Sequence, residues 1–267
     1  MKRLLSLILL PLFLILSQGQ ALGIKVSLGI DHGSLDTLLS KYVNDSGLVD
    51  YKNWKENSED LKSLDAYLAR FAPEPETPAR SNDLAASLIN AYNAFIIRWI
   101  LANYPTESIR LLDKSWKEKR HKVGGAYVSL DDIEHEALRP LIGWKAHAVI
   151  VCAARSCPPL QAFAYKKESL DQQIEESYRK WLSRRDLNHF SPGRGRIHIS
   201  KIFDWFEKDF RQAGSVTRIL ARYAPEKYRR FLQKRKYKIK YKPYHWGLND
   251  QSSLGKDYRH SIFHSLF

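Results

Sequence analysis

Leu35, Leu38, Leu39, Tyr42 and Val43 recur at helical spacing, and Asn44-Asp45-Ser46-Gly47 ends the run with turn-forming residues. A second amphipathic helix is predicted from about Ser58 to Phe71, with Leu61, Leu64, Leu68 and Phe71 on one face and Pro73 beyond its end. The third, from about residue 82 to 103, differs in kind. Its segment LINAYNAFIIRWIL is apolar nearly all round, which predicts a buried central helix. Asn90 and Asn93 share one face of it at i and i+3, and a buried amide without partners costs roughly 1–3 kcal/mol. They must therefore bond something, either tying loops to the core or orienting a site.

Further along, VGGAYVSL (123–130) alternates enough to predict a strand around Gly124-Gly125. Asp131 is then expected to cap a helix over DDIEHEALR, with Glu134 at the capping-box position. HAVIVC (147–152) is short, β-branched and uncharged, and reads as a buried strand. ESLDQQIEESYRKWLSR is amphipathic through Leu170, Ile174, Trp181 and Leu182. RIHIS predicts a strand, Ser200 caps KIFDWFEKDF, and Pro225 can start a further short helix. KYKIKYK sets Tyr237, Ile239 and Tyr241 on one face and lysines on the other, the pattern of a lysine-protected edge strand. The sum is α+β: a single mixed domain in which helices outweigh a small β-sheet. No repeat of 20 to 50 residues and no long flexible linker interrupts it.

The N-terminus has its own pattern. Met1-Lys2-Arg3 precedes an apolar run from Leu4 to Leu16, and Gly19-Gln20-Ala21 supplies small residues at an exit. This predicts a secretory signal peptide over residues 1–21, cleaved after Ala21. The run is too short to span a bilayer, which takes about 20 residues, so a periplasmic or secreted chain without a transmembrane segment is expected for residues 22–267.

A net charge of +14 would suit nucleic acid, but its distribution does not. Residues 218 to 242 hold eleven Lys or Arg against one acid, Glu226, leaving a nearly neutral body with one basic flank. Secretion removes most access to nucleic acid, so the expected readings are a solvated edge or a contact with an anionic envelope surface.

Cofactor and metal signals are missing. There is no phosphate-cradling glycine loop, no Gly-x-Ser-x-Gly and no His-Glu-x-x-His, and His260 with His264 is only a weak i, i+4 pair. No cofactor and no metal are expected. The chemistry left is that of CAARSCPP (152–159), which contains both cysteines of the chain. In an oxidising compartment Cys152 and Cys157 can close a small ring, although two prolines after Cys157 restrict how the loop folds back. A nucleophilic thiolate would instead need a cation or imidazole nearby. Arg155 is local; His147, five residues from Cys152 along the expected strand, would face away, leaving His135 as the better partner.

LINAYNAFIIRWIL, DIEHEALRP, HAVIVCAARSCPPL, IFDWFEKDF and YHWGLN, in that order and preceded by GLVDYKNW, resemble the successive motifs of the family called domain of unknown function 547. The resemblance runs from about Leu35 to Asn249, with a core at about residues 84–184. It carries no established activity. It does direct attention to Asn90, Tyr92, Asn93, Glu134, His135, Arg139, His147, Cys152, Arg155, Ser156, Cys157 and Pro158. It also implies that plant members keep the first cysteine and have serine at the second. Ala148 and His245 depart from the family pattern, where Phe and Asp are expected.

Two functions follow as alternatives. One is a cysteine-thiolate hydrolase or acyl transferase of papain or transglutaminase type. In it Cys157 or Cys152 attacks, His135 is the base, Asn90 or Asn93 orients the imidazole and Arg155 stabilises developing charge, on an unknown substrate. The other is a non-catalytic envelope binding or interaction domain stapled by a Cys152–Cys157 disulfide.

Overall fold

The helix Ser81–Asn103 organises the molecule. Leu88, Ile89, Ile96, Ile97, Ile100 and Leu101 all lie at or below 2% exposure, each contributing about 2 kcal/mol on burial. By length and mean hydropathy this helix could cross a membrane, but 83% of its apolar window is buried inside the fold. It is the core helix the sequence pattern predicts, and the architecture is α+β with helices outweighing two small sheets.

The computed structural model describes residues 23–234 and 236–258. The expected signal peptide and the His260/His264 pair lie outside the described residues. In chain order the elements are α1 (Gly33–Tyr42), α2 (Tyr51–Glu56), α3 (Ser58–Ala69), α4 (Ser81–Asn103), β1 (His121–Val123) and β2 (Ala126–Val128). They continue with α5 (Arg139–Ile142), α6 (Leu170–Ser183), β3 (His189–Ser191), β4 (Arg196–Ile199), α7 (Ile202–Trp205) and α8 (Glu207–Gln212). The last are α9 (Val216–Tyr223), α10 (Arg229–Gln233) and β5 (Lys238–Tyr241).

α2 and α3 pack against α4, and α1 packs on both of them. Leu35, Leu38, Leu39 and Tyr42 of α1 are buried, and Tyr42 stacks on Trp54 of α2 at 4.6 Å. α6 brings in Trp181, stacked nearly parallel on Phe203 of α7 at 4.6 Å. β1 and β2 pair as an antiparallel hairpin that turns at Gly124 and Gly125, both at positive φ, so the expected single strand is two. In the second sheet β4 is central, antiparallel to β3 and parallel to β5.

Two expected elements take other forms. DDIEHEALR is not an α-helix capped by Asp131: Asp132–Leu138 is a π-helix, with the Arg139 N–H bonded to the Glu134 carbonyl. Pro140 follows at once, and its ring crowds the carbonyl four residues back while offering no N–H, which favours the wider turn. The cap is Ser129, whose hydroxyl accepts the Asp132 N–H while the Asp132 carboxylate accepts the Ser129 N–H. HAVIVC is not a strand either. Gly143–Ala148 closes into a 3-10 helix, and residues 149–152 after it join no strand.

Candidate functional site

Both core asparagines serve the backbone. The Asn93 amide donates to the Val149 carbonyl at 2.8 Å and accepts the Val151 N–H at 3.0 Å. Asn90 does the same for Tyr165, donating to its carbonyl at 2.8 Å and accepting its N–H at 2.9 Å. A carboxamide offers the donor and acceptor that a neighbouring strand would offer, so each asparagine satisfies an irregular segment that lacks a strand partner. Asn93→Ala orphans the Val149 carbonyl and the Val151 N–H together, and is expected to cost about 2 kcal/mol. Hydrogen exchange should then speed up at the Val151 amide; unchanged protection there would contradict this role.

The segment held by Asn93 leads into the cysteines, which are joined in a disulfide with a Cα–Cα distance of 6.3 Å. Of the two expected arrangements, sulfurs facing each other or facing His135, the structure holds the first. Neither cysteine is a free thiolate. Cys157 is 4% exposed, whereas Cys152 is half-buried. The Tyr244 hydroxyl lies 3.1 Å from each sulfur, and the Cys152 N–H donates to Cys157 Sγ at 3.1 Å. Burial and the nearby Glu134 charge push the Tyr244 hydroxyl well above its ordinary range, so it stays protonated and donates.

Arg155 is turned away from the sulfurs. Its guanidinium donates to the carbonyls of Asp250, Ser252 and Leu254, at 3.0, 3.0 and 3.2 Å, and its N–H bonds the Gly247 carbonyl at 2.8 Å. Ser156 adds a hydroxyl that accepts the His245 N–H at 2.8 Å. The disulfide loop thus clamps the C-terminal segment. Gly247 is required there, because a Cβ would overlap the Gly255 carbonyl.

His135 is exposed, and its Nδ1 accepts from Arg139 at 2.5 Å. Among the described residues neither sulfur has an imidazole as a hydrogen-bonding partner. His135 belongs instead to a second cluster. Arg139 grips Asp209 of α8 with two N–H groups at 2.8 and 3.1 Å, and buried His147 bonds the same carboxylate at 2.7 Å. Phe206 stacks over the His147 ring at 4.1 Å. Burial depresses the His147 imidazole, and the bond from His147, then Arg139, holds the Asp209 carboxyl far below its usual range. Glu134 lies between the two clusters, bonded to buried Tyr92. Desolvation pushes its carboxyl up to about 7.

Tyr244 also packs against Trp246 at 4.6 Å and Trp205 at 4.8 Å, and Trp205 is 37% exposed. Among the described residues no group of three or more His, Cys, Asp or Glu side chains could hold a metal.

The second notable surface is the outer face of the three-stranded sheet. Its register sets Arg196 opposite Lys238 and His198 opposite Lys240, with His189 opposite His198. Arg196, Lys238 and Lys240 are exposed and make no ion pair with a described acid. Like charges directly opposite one another destabilise a sheet. Desolvation first, then Lys240, His189, Lys242 and Arg196, depress the His198 imidazole.

Asp209, Tyr244 and Trp205 were not singled out by the sequence pattern. Asp209 left a trace: in KIFDWFEKDF it follows Phe206 by three and adjoins Phe210, which puts an acid on the apolar stripe. Tyr244 is 87 residues from Cys157, and nothing in its local spacing announces the contact.

Together these features define an α+β domain with a disulfide loop clamped onto its C-terminal segment and polar core residues that serve its own backbone. Residues 78–182 match the family model described as "Protein of unknown function, DUF547", which supports the assignment of this segment to that family. The segment contains Asn90, Asn93, His135, Cys152, Arg155 and Cys157, while Asp209, Tyr244 and the basic sheet face lie beyond it. No curated protein and no solved structure matches the chain.

Proposed function

We propose that this protein is a binding domain of the cell envelope that docks on an anionic phospholipid surface through the outer face of β3, β4 and β5. The observation that carries this reading is the register of β4 and β5, which aligns Arg196 with Lys238 and His198 with Lys240 and supplies no acid between them. The directly opposed cations Arg196 and Lys238, with Lys240 next along the same face, cost stability in the isolated protein, and an anionic surface would relieve that repulsion. The lysine-rich flank from 218 to 242 extends the same charge, and the Met1–Ala21 pattern supports a periplasmic or secreted setting. The thiolate hydrolase or acyl transferase reading has less support, because both sulfurs are bonded and Asn90, Asn93 and Arg155 are engaged with backbone groups.

The test is sedimentation with vesicles of phosphatidylcholine alone or with about one third phosphatidylglycerol. Binding is expected only to the anionic vesicles and should fade as salt shortens the Debye length below about 8 Å. Lys238→Gln/Lys240→Gln should weaken it about thirtyfold, since each surface cation contributes about 1 kcal/mol. Equal binding to both vesicle types, or a double variant that binds normally, would sink the proposal.

A further inference from the structure

The disulfide has an asymmetry that a plain staple does not need. Cys152 is half-buried, while Cys157 is only 4% exposed. The Tyr244 hydroxyl lies 3.1 Å from both sulfurs, and the Cys152 N–H, at 3.1 Å from Cys157 Sγ, adds a second donor on the buried sulfur alone. A disulfide sulfur carries no proton, so the hydroxyl must be the donor. These donors hold a neutral sulfur weakly and a thiolate about twice as strongly. The arrangement therefore favours the state in which Cys157 is the negatively charged leaving group.

We infer that Cys152–Cys157 is an exchangeable disulfide of fixed polarity, reduced by a dithiol donor that attacks at Cys152. A donor thiolate forms a bond to Cys152 Sγ, the Cys152–Cys157 bond breaks, and its electron pair leaves on Cys157. The donor's second thiolate then attacks the donor sulfur in the mixed disulfide and releases Cys152. The donor ends oxidised by two electrons with its own disulfide closed. The two protons lost by its thiols end on Cys152 and Cys157. Half-buried Trp246 and partly exposed Trp205, packed on Tyr244, provide an apolar collar beside the point of attack. Ala154, Arg155 and Ser156, inside the ring, hold residues 245–248, so reduction would loosen the clamp on the C-terminal segment.

Glutathione is the probe for polarity and dithiothreitol for exchange. A thiol-alkylating reagent should label neither cysteine of the folded protein until dithiothreitol is added without denaturant. With glutathione in place of the dithiol, acid quenching and peptide mass mapping should find the adduct on Cys152. Tyr244→Phe should slow reduction about tenfold, because the leaving thiolate loses one charge-assisted donor, while Tyr127→Phe, an exposed residue of β2, should leave the rate unchanged. A glutathione adduct on Cys157, or reduction that occurs only at the rate of global unfolding, overturns the inference. Should Tyr244→Phe fail to fold, the location of the adduct in the unaltered protein decides the question alone.

Discussion

Asp209→Asn is expected to lower the unfolding free energy by about 3 kcal/mol and the melting temperature by roughly 10 °C. Asp209 accepts three hydrogen bonds, two from Arg139 and one from His147, and the His147 side chain is only 2% exposed. Removing the charge leaves the Arg139 guanidinium without its counterion beside a buried imidazole, and breaking such a pair typically costs about 3–5 kcal/mol. Arg139 keeps 28% of its side chain in solvent, which places the expected value at the low end. Lys145→Ala, which removes an ion pair to largely exposed Asp171, should by contrast cost less than about 1 kcal/mol. Thermal unfolding of the two variants in parallel checks the claim, and similar small losses in both would refute it. The sign with pH is also fixed. A carboxyl held below its ordinary 3.8 contributes stability that is present above that value and is lost as the pH falls toward the folded value.

Glu134→Gln is expected to act in the opposite sense. The folded protein holds the Glu134 carboxyl at about 7, against an ordinary 4.5, chiefly because burial disfavours its charge. The folded state therefore binds the proton more tightly than the unfolded chain. This stabilisation is complete below about pH 4.5 and is lost as the pH rises through about 7. Glutamine mimics the protonated acid at every pH and can still accept from Tyr92. The variant should thus gain about 2–3 kcal/mol relative to the parent between pH 4 and pH 8. Urea unfolding followed by tryptophan fluorescence at several pH values tests this. If the two stability curves run parallel across that window, the carboxyl is not titrating as described.

The helices were legible because their signal is local. α1, α4 and α6 each bury the stripe that their spacing marks, whereas α3 buries Leu64 and Tyr67 and leaves Leu61 and Leu68 half-buried. The edge strand β5 was legible for the same reason, with its lysines outward. HAVIVC was misread because β-branched apolar residues report burial, and burial does not require a strand partner. There the partner is the Asn93 side chain, supplied from α4 at a separation of 56 residues. The π-turn around Glu134 was missed because DDIEHEALR has good helix formers, and the wider hydrogen-bonding pattern is set by Pro140 just past its end. At the candidate site, the sequence located the two cysteines and left their bonding open. It did not place Tyr244 or Asp209 beside their partners, since those contacts are purely tertiary.

Val49 pairs with Asp250, the Tyr51 hydroxyl bonds Asn249 across 198 residues of chain, and the disulfide loop grips Gly247 and Leu254. These contacts join the earliest helices to almost the last described residues. A chain made from its N-terminus can form α1 to α4 as local units, but cannot close this seam until residues 247–254 have been synthesised. Non-local closure of this kind comes late and slows folding. Until then the half-finished protein leaves the Tyr51 hydroxyl without Asn249 and Arg155 without its three carbonyls, so the last stretch of described residues completes the fold rather than starting it.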